Sequence, residues 1–155
     1  MISLLNHRTT LEAEQIYYVF QHSYQVEADI VGVDNFPPLA RSSKEIQQST
    51  TSFYGFHAQQ ELAAVIEISL SNGKLHINSL TVLPKFFRQG IASQMIEHVL
   101  KANSFSRATV ETAVVNKPAI TLYERHGFKE YKQYVPDHGI AKTAMELSTQ
   151  TTLEH

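Results

Sequence analysis

Leu80-Thr81-Val82-Leu83-Pro84-Lys85-Phe86-Phe87-Arg88-Gln89-Gly90-Ile91-Ala92 begins as a strand and ends as the first turn of a helix. Leu80, Val82 and the residues just before them are apolar or β-branched, which suits a strand. Pro84 cannot donate to a ladder, so the strand stops there. Gly90 lets backbone come close to whatever lies above the turn. Ile91, Met95 and Val99 recur every four residues, with Ala92, Ile96 and Leu100 beside them, as an amphipathic helix requires. A helix start has unpaired N–H groups and the positive end of a dipole, so this turn is an anion site, and phosphate is the obvious anion.

The sequence lacks the Gly-Lys-Ser/Thr of a phosphate-binding NTPase loop and the Gly-x-Gly-x-x-Gly of a dinucleotide fold. Downstream lies Asn116-Lys117-Pro118-Ala119-Ile120-Thr121-Leu122-Tyr123-Glu124-Arg125-His126-Gly127-Phe128. Asn116 is a good N-cap, and Pro118 fits a first turn, where N–H groups have no partner anyway. Gly127 suits the end of that helix, and Phe128 packs back or opens the next strand.

Together the two segments resemble the GNAT superfamily of N-acetyltransferases. Phe87-Arg88-Gln89-Gly90-Ile91-Ala92 is similar to that family's Gln/Arg-x-x-Gly-x-Gly/Ala turn, with Phe87 where Gln or Arg is usual. The Asn116–Phe128 segment is similar to its Asn-x-x-Ala-x-x-x-Tyr-x-x-x-Gly-Phe. The resemblance covers roughly residues 61 to 148. It implies acetyl-CoA as co-substrate, with the pyrophosphate on the N–H groups of Arg88, Gln89, Gly90, Ile91, Ala92 and Ser93. It also implies that the pantetheine arm lies along backbone at Val82 and Leu83 like an added strand. Asn116 either caps its helix or also touches that arm.

Composition agrees with a soluble globular domain. The chain has 155 residues, 43% apolar and 18% charged, with a formal net charge of −2. That length predicts one domain, residues 1–152, with Leu153-Glu154-His155 reading as an expression-tag remnant. The charge gives no basic surplus for nucleic acid or an anionic membrane. The absence of cysteine excludes disulfides, thiolate metal sites and a cysteine acyl-enzyme. The histidines show no metal-ligand spacing, so no metal is expected. No Gly-x-Ser-x-Gly supports a serine hydrolase. With Met1–Leu5 too short for a signal peptide and no transmembrane run, the cytoplasm is the expected compartment. Homodimers are common in the family resembled.

Along the chain, Ile2–Asn6 reads as an edge strand. Thr9 and Glu12 form a capping box for a helix reaching about Tyr24. Val31–Arg41 is loop-like because of Pro37-Pro38. Ser43 starts a short helix ending near Thr50. Ser52–His57, Leu62–Leu70 and Leu75–Leu83 are strands, the last two joined by an Asn72-Gly73 hairpin turn. A helix over about Gln89–Asn103, a strand at Ala108–Val115, the Asn116 helix, and strands at Phe128–Val135 and Lys142–Ser148 complete the order. This predicts an α/β (α+β) fold: a mixed, mostly antiparallel sheet of about seven strands flanked by four helices, as in a GNAT-like acyltransferase.

The Asn-Gly turn sets register, with Ser71 opposite Lys74, Ser69 opposite His76 and Glu67 opposite Asn78. Glu67, Ser69, His76 and Asn78 then share a polar face, and Ile66, Ile68, Leu70, Leu75 and Ile77 face the core. In the family resembled the polar face borders the acceptor site; otherwise it is simply solvated. A primary ammonium, with a pKa of about 10.4, must lose its proton before it attacks, so a base is useful. His76 is the first candidate by its intrinsic pKa and Glu67 the second. The resemblance makes Tyr123 the donor of a proton to the departing thiolate, against a reading as core. It places the acceptor beneath Val31–Arg41, where Asp34 offers a carboxylate and Phe36 a wall, with Asn78 on the sheet below. The expected activity is direct acetyl transfer to a primary amine in a ternary complex. The alternatives are a non-catalytic acyl-CoA-binding module and a transferase for a longer acyl-CoA.

Overall fold

A computed structural model describes residues 1–149. Leu153-Glu154-His155 and the end of the expected 1–152 domain lie outside these residues. Seven strands form one sheet: β1 (Ile2–Leu4), β2 (Ser52–Ala58), β3 (Glu61–Ser71), β4 (Lys74–Val82), β5 (Arg107–Ala113), β6 (Lys129–Tyr134) and β7 (Lys142–Ser148). The helices are α1 (Thr10–Val31), α2 (Ser43–Gln48), α3 (Ile91–Ala102) and α4 (Lys117–Arg125). Strand order is β1-β2-β3-β4-β5-β7-β6, and every neighbouring pair is antiparallel except β4–β5. The expected element order and sheet are therefore borne out.

The parallel pair organises the fold. A parallel connection needs a crossover, and α3 supplies it on one face. Ile91, Met95, Ile96 and Val99 of α3 are buried in the main core. The Ser93 hydroxyl meets His126 Nε2 at 2.6 Å, which sets the end of α4 beside the start of α3. The opposite face is covered by α1 and α2, whose connector reaches the sheet through an Arg41–Glu67 ion pair of 2.7 Å.

Asn72 and Gly73 have φ of 53° and 77°, as an Asn-Gly turn of type I′ needs. Ser71 pairs with Lys74 and Ser69 with His76, as the turn predicts. The register then shifts between Glu67 and Ile68, because Asn78 is an extra residue on β4. Ser79, not Asn78, stands opposite Glu67. Leu70, expected in the core, is 49% exposed near the tip of the hairpin.

Three local expectations are also corrected. α1 runs past Tyr24 to Val31 and ends at Gly32, whose N–H reaches Ala28 O at 2.8 Å. Thr9 caps α1 by accepting from Glu12 N–H, but Glu12 turns its carboxylate to Asn6 N–H, so the box is not closed. A complete box forms at α2 instead, between Ser42 and Glu45. The Val31–Arg41 segment begins within α1 and holds one 3-10 turn at Pro37–Ala40.

Candidate active site

Two strands that begin as partners separate here. β4 and β5 pair only from Lys74–Ile77 with Arg107–Val110. Beyond that, β4 stays with β3 as far as Val82, while β5 stays with β7 as far as Ala113. Asn78–Val82 therefore has a free edge, roughly 13 Å long at the usual strand rise. A strand leaves alternate N–H groups on alternate edges. Leu83 N–H goes to Ala63 O at 2.8 Å, on the β3 side. Val82 N–H turns to the open side, where the Ser23 hydroxyl of α1 accepts it at 3.3 Å. Val82, rather than Leu83, thus presents backbone to the gap.

The α3 turn lies at the wide end of the gap. Arg88 and Gly90 both sit in the left-handed region, at φ of 64° and 75°. Gly90 precedes the helix as its N-cap, and a Cβ there would meet nothing within 4 Å. The first rung of the ladder is Gln94 N–H to Gly90 O at 3.1 Å. The N–H groups of Ile91, Ala92 and Ser93 precede that rung and have no helical partner by construction. The residues present fit a diphosphate: an exposed donor nest, a dipole end and no side chain in the way.

Tyr123 lies in α4 within the main core, and Asn116 directly precedes that helix. Asn116 caps α4 through Ala119 N–H at 3.3 Å, as expected. Tyr123 is 5% exposed and packs edge-on against Phe128 at 5.6 Å. Burial pushes its phenol above the ordinary range, with Tyr24 and Glu27 of α1 adding to the shift. Glu27, which sequence reasoning missed, is itself pushed up by burial, while Asn116 and Lys142 pull it back. Nothing local marked it, since its environment comes from α4 and β7.

On the face covered by α1, a cleft of about 380 Å³ is lined by Phe20, Tyr24, Pro38, Arg41, Ser49, Thr51, Glu67, Asn78 and Ser79. Glu67 is 2% exposed. Its oxygens accept from Arg41 Nη1 and Nη2 at 2.7 and 3.1 Å, from Thr51 at 2.6 Å and from Ser79 at 3.1 Å. The Arg41 guanidinium lies over Phe20 and Phe53, 5.8 and 5.7 Å from the ring centroids. Four hydrogen bonds on one buried carboxylate make this a fixed floor. Ser69 and Asn78 meet at 3.0 Å on the same face.

His76 is half-buried and contacts Thr109 Oγ1 through Nδ1 at 2.7 Å. Burial lowers its pKa, Lys74 adds to the effect and Glu111 opposes it, so the ring is neutral at neutral pH. Glu111 stands at the first position of β5 that has left β4, and accepts the Tyr134 hydroxyl. It was overlooked because only the strand pairing reveals that position.

Asp34 and Phe36 do not join the cleft. Asp34 is exposed. Phe36 is 7% exposed and packs with Ala28, Ala113 and Ile140, with Tyr24 at 6.0 Å. The same connector reaches the cleft through Pro38 and Arg41 instead. Among the described residues, no group of three or more His, Asp or Glu could hold a metal ion, and no helix is long and apolar enough to cross a membrane.

The splayed parallel pair with a donor-rich turn at its mouth defines an acyltransferase of the GNAT class. This chain belongs to that family: residues 22–149 match its acetyltransferase (GNAT) domain model. It is 30% identical over 155 residues to the UPF0157 protein YqkA of Bacillus subtilis (strain 168), covering 99% of this chain and 45% of that protein. It is 32% identical over 83 residues to an N-alpha-acetyltransferase of Saccharolobus solfataricus, covering 51% of this chain and 46% of that protein. The chain thus spans about half the length of these curated relatives. The ribosomal-protein-S18-alanine N-acetyltransferase from Escherichia coli has the same fold, with a TM-score of 0.74 at 22% identity over 96% of this chain and 92% of that one. So does the paia N-acetyltransferase from Thermoplasma acidophilum, solved with coenzyme A, at 0.72 and 16% identity over 96% and 99%.

Proposed function

We propose that this domain transfers the acetyl group of acetyl-CoA directly to a primary amine. The observation that carries the reading is the free edge of β4, open from Asn78 to Val82, between the α3 turn and the polar cleft. The turn from Arg88 to Ser93 takes the diphosphate, and Val82 N–H meets the acyl-bearing arm or the developing oxyanion. The acceptor enters from the cleft side, where Asn78 and Ser79 reach the edge of the gap. The amine lone pair forms the new N–C bond as the C–S bond breaks. Tyr123 faces the departing sulfur; its raised pKa keeps it protonated, and so a hydrogen-bond donor, throughout the neutral range. The proton released by the amine passes to Glu111 or His76, neighbours across the parent pair. The relative's name, N-alpha-acetyltransferase, favours an α-amino acceptor.

A coenzyme-release screen with free α-amino peptides, amino-acid amides and aliphatic amines tests the reading. Glu111→Gln and His76→Gln then assign the base. Glu111 stands at the open position and His76 one step inside the pair, so Glu111→Gln is expected to lower turnover by roughly 10²-fold. Binding of acetyl-CoA with no release across the panel would favour a non-catalytic binder, and release with longer acyl-CoA alone would change the donor.

A further inference from the structure

The cleft floor has a defined proton direction. A carboxylate accepts about four hydrogen bonds and donates none. Glu67 receives four, two from Arg41 and one each from Thr51 and Ser79. Thr51 has a single hydroxyl proton, and Glu67 takes it. The 2.6 Å contact between Ser49 and Thr51 must then be donated by Ser49. Ser69 gives its proton to Asn78 Oδ1, which leaves the Asn78 amide N–H groups free to donate. The hydroxyl protons of Ser49, Thr51 and Ser79 are thus all committed; Ser49 also accepts Thr51 N–H at 3.3 Å, Thr51 accepts from Ser49 and Ser79 pairs with Tyr24, so each oxygen still offers one lone pair.

We infer that Ser49, Thr51 and Ser79 form a cradle for the acceptor's amine nitrogen, and that Glu67 is a positioning residue that sets their direction rather than the base. This rests on the acetyltransferase reading. An ammonium donates three hydrogen bonds and has no lone pair, so it suits three lone-pair acceptors. Once neutral, the nitrogen donates two and keeps its own lone pair for the gap beside Ser79. Glu67 has no accepting position left for the amine's proton. Arg41 balances its charge, so the cleft has no surplus anion to hold a polyamine. The free Asn78 amide suits a carbonyl next to the amine. The acceptor class is therefore a monoamine with a neighbouring carbonyl, as in an α-amino amide or peptide terminus.

The probe is L-alaninamide, titrated into the full chain and followed by NMR shifts, with acetyl-CoA titrated separately by calorimetry. Thr51→Val and Ser79→Ala are expected to weaken alaninamide binding tenfold or more and leave acetyl-CoA affinity within twofold. Glu67→Gln is expected to raise the amine KM while the pH midpoint of kcat stays in place. Unchanged alaninamide binding in both hydroxyl variants, or no binding to the unaltered protein, overturns the cradle. Loss of kcat with the acid limb in Glu67→Gln, at unchanged amine KM, makes Glu67 the base after all. If Glu67→Gln fails to fold, the two hydroxyl variants decide alone. Failure of the unaltered protein to bind acetyl-CoA would instead sink the acetyltransferase reading, whatever alaninamide does.

Discussion

Val82 donates its backbone N–H to the Ser23 hydroxyl, 3.3 Å away, on the edge of β4 that β5 has already left. A helix side chain thus satisfies a donor that a strand would otherwise need. If the acyl-bearing arm pairs there, it must displace Ser23. A hydrogen bond of this kind contributes about 1 kcal/mol net. Ser23→Ala is therefore expected to tighten acetyl-CoA binding by up to about fivefold in calorimetry. Weaker binding would make Ser23 a contact of the coenzyme rather than its competitor.

Gly90 separates two effects that one substitution could confuse. Its φ of 75° disfavours side chains, yet a Cβ there meets no protein atom within 4 Å. Gly90→Val is expected to weaken acetyl-CoA binding at least tenfold, about 1.4 kcal/mol. Gly90→Asn keeps a residue that tolerates the left-handed region, so its thermal midpoint should stay near that of the parent. Its affinity should still fall, because the side chain stands where the diphosphate approaches. Full affinity in a folded Gly90→Asn protein would remove the turn from the coenzyme site.

Much of this was legible locally. The Asn72-Gly73 turn fixed the pairing of β3 with β4 as far as Ile68 and Ile77, and the Asn116 and Gly90 signals marked two helix starts. The bulge at Asn78 was missed, although Asn78-Ser79 puts two polar residues in succession and breaks the alternation of Leu75-His76-Ile77; a register counted from the turn alone runs straight through it. Glu67 looked like a free base because its main partner, Arg41, lies 26 positions earlier, beyond α2 and β2. Phe36 and Asp34 stood in the expected connector, but the Pro37–Ala40 turn carries Pro38 and Arg41 into the cleft and leaves Phe36 packed beneath.

Tyr123→Phe keeps the ring against Phe128 and removes only the hydroxyl. Fold and acetyl-CoA affinity should change little. Turnover is expected to fall by roughly 10²-fold, as loss of general-acid chemistry implies. Single-turnover kinetics on a found acceptor would show it, and unchanged turnover would leave Tyr123 a packing residue.

Glu27 makes a pH prediction with a definite sign. Burial raises its folded pKa, so the folded state holds the proton more tightly than the unfolded chain. Its favourable contribution is present below the ordinary carboxylate range and is lost as pH rises through the folded value. Glu27→Gln is therefore expected to raise the thermal midpoint relative to the parent at neutral pH, with the advantage shrinking in acid. An advantage that grew as pH fell would show that the carboxylate is instead stabilised as an anion by Asn116 and Lys142.

Backbone amide hydrogen exchange with and without acetyl-CoA tests the central claim most directly. The account predicts new protection at Val82 and across Arg88–Ser93, while Leu83 N–H, already bonded to Ala63 O, stays as it was. Saturating acetyl-CoA that left Val82 and the α3 turn unchanged, with protection elsewhere, would contradict it.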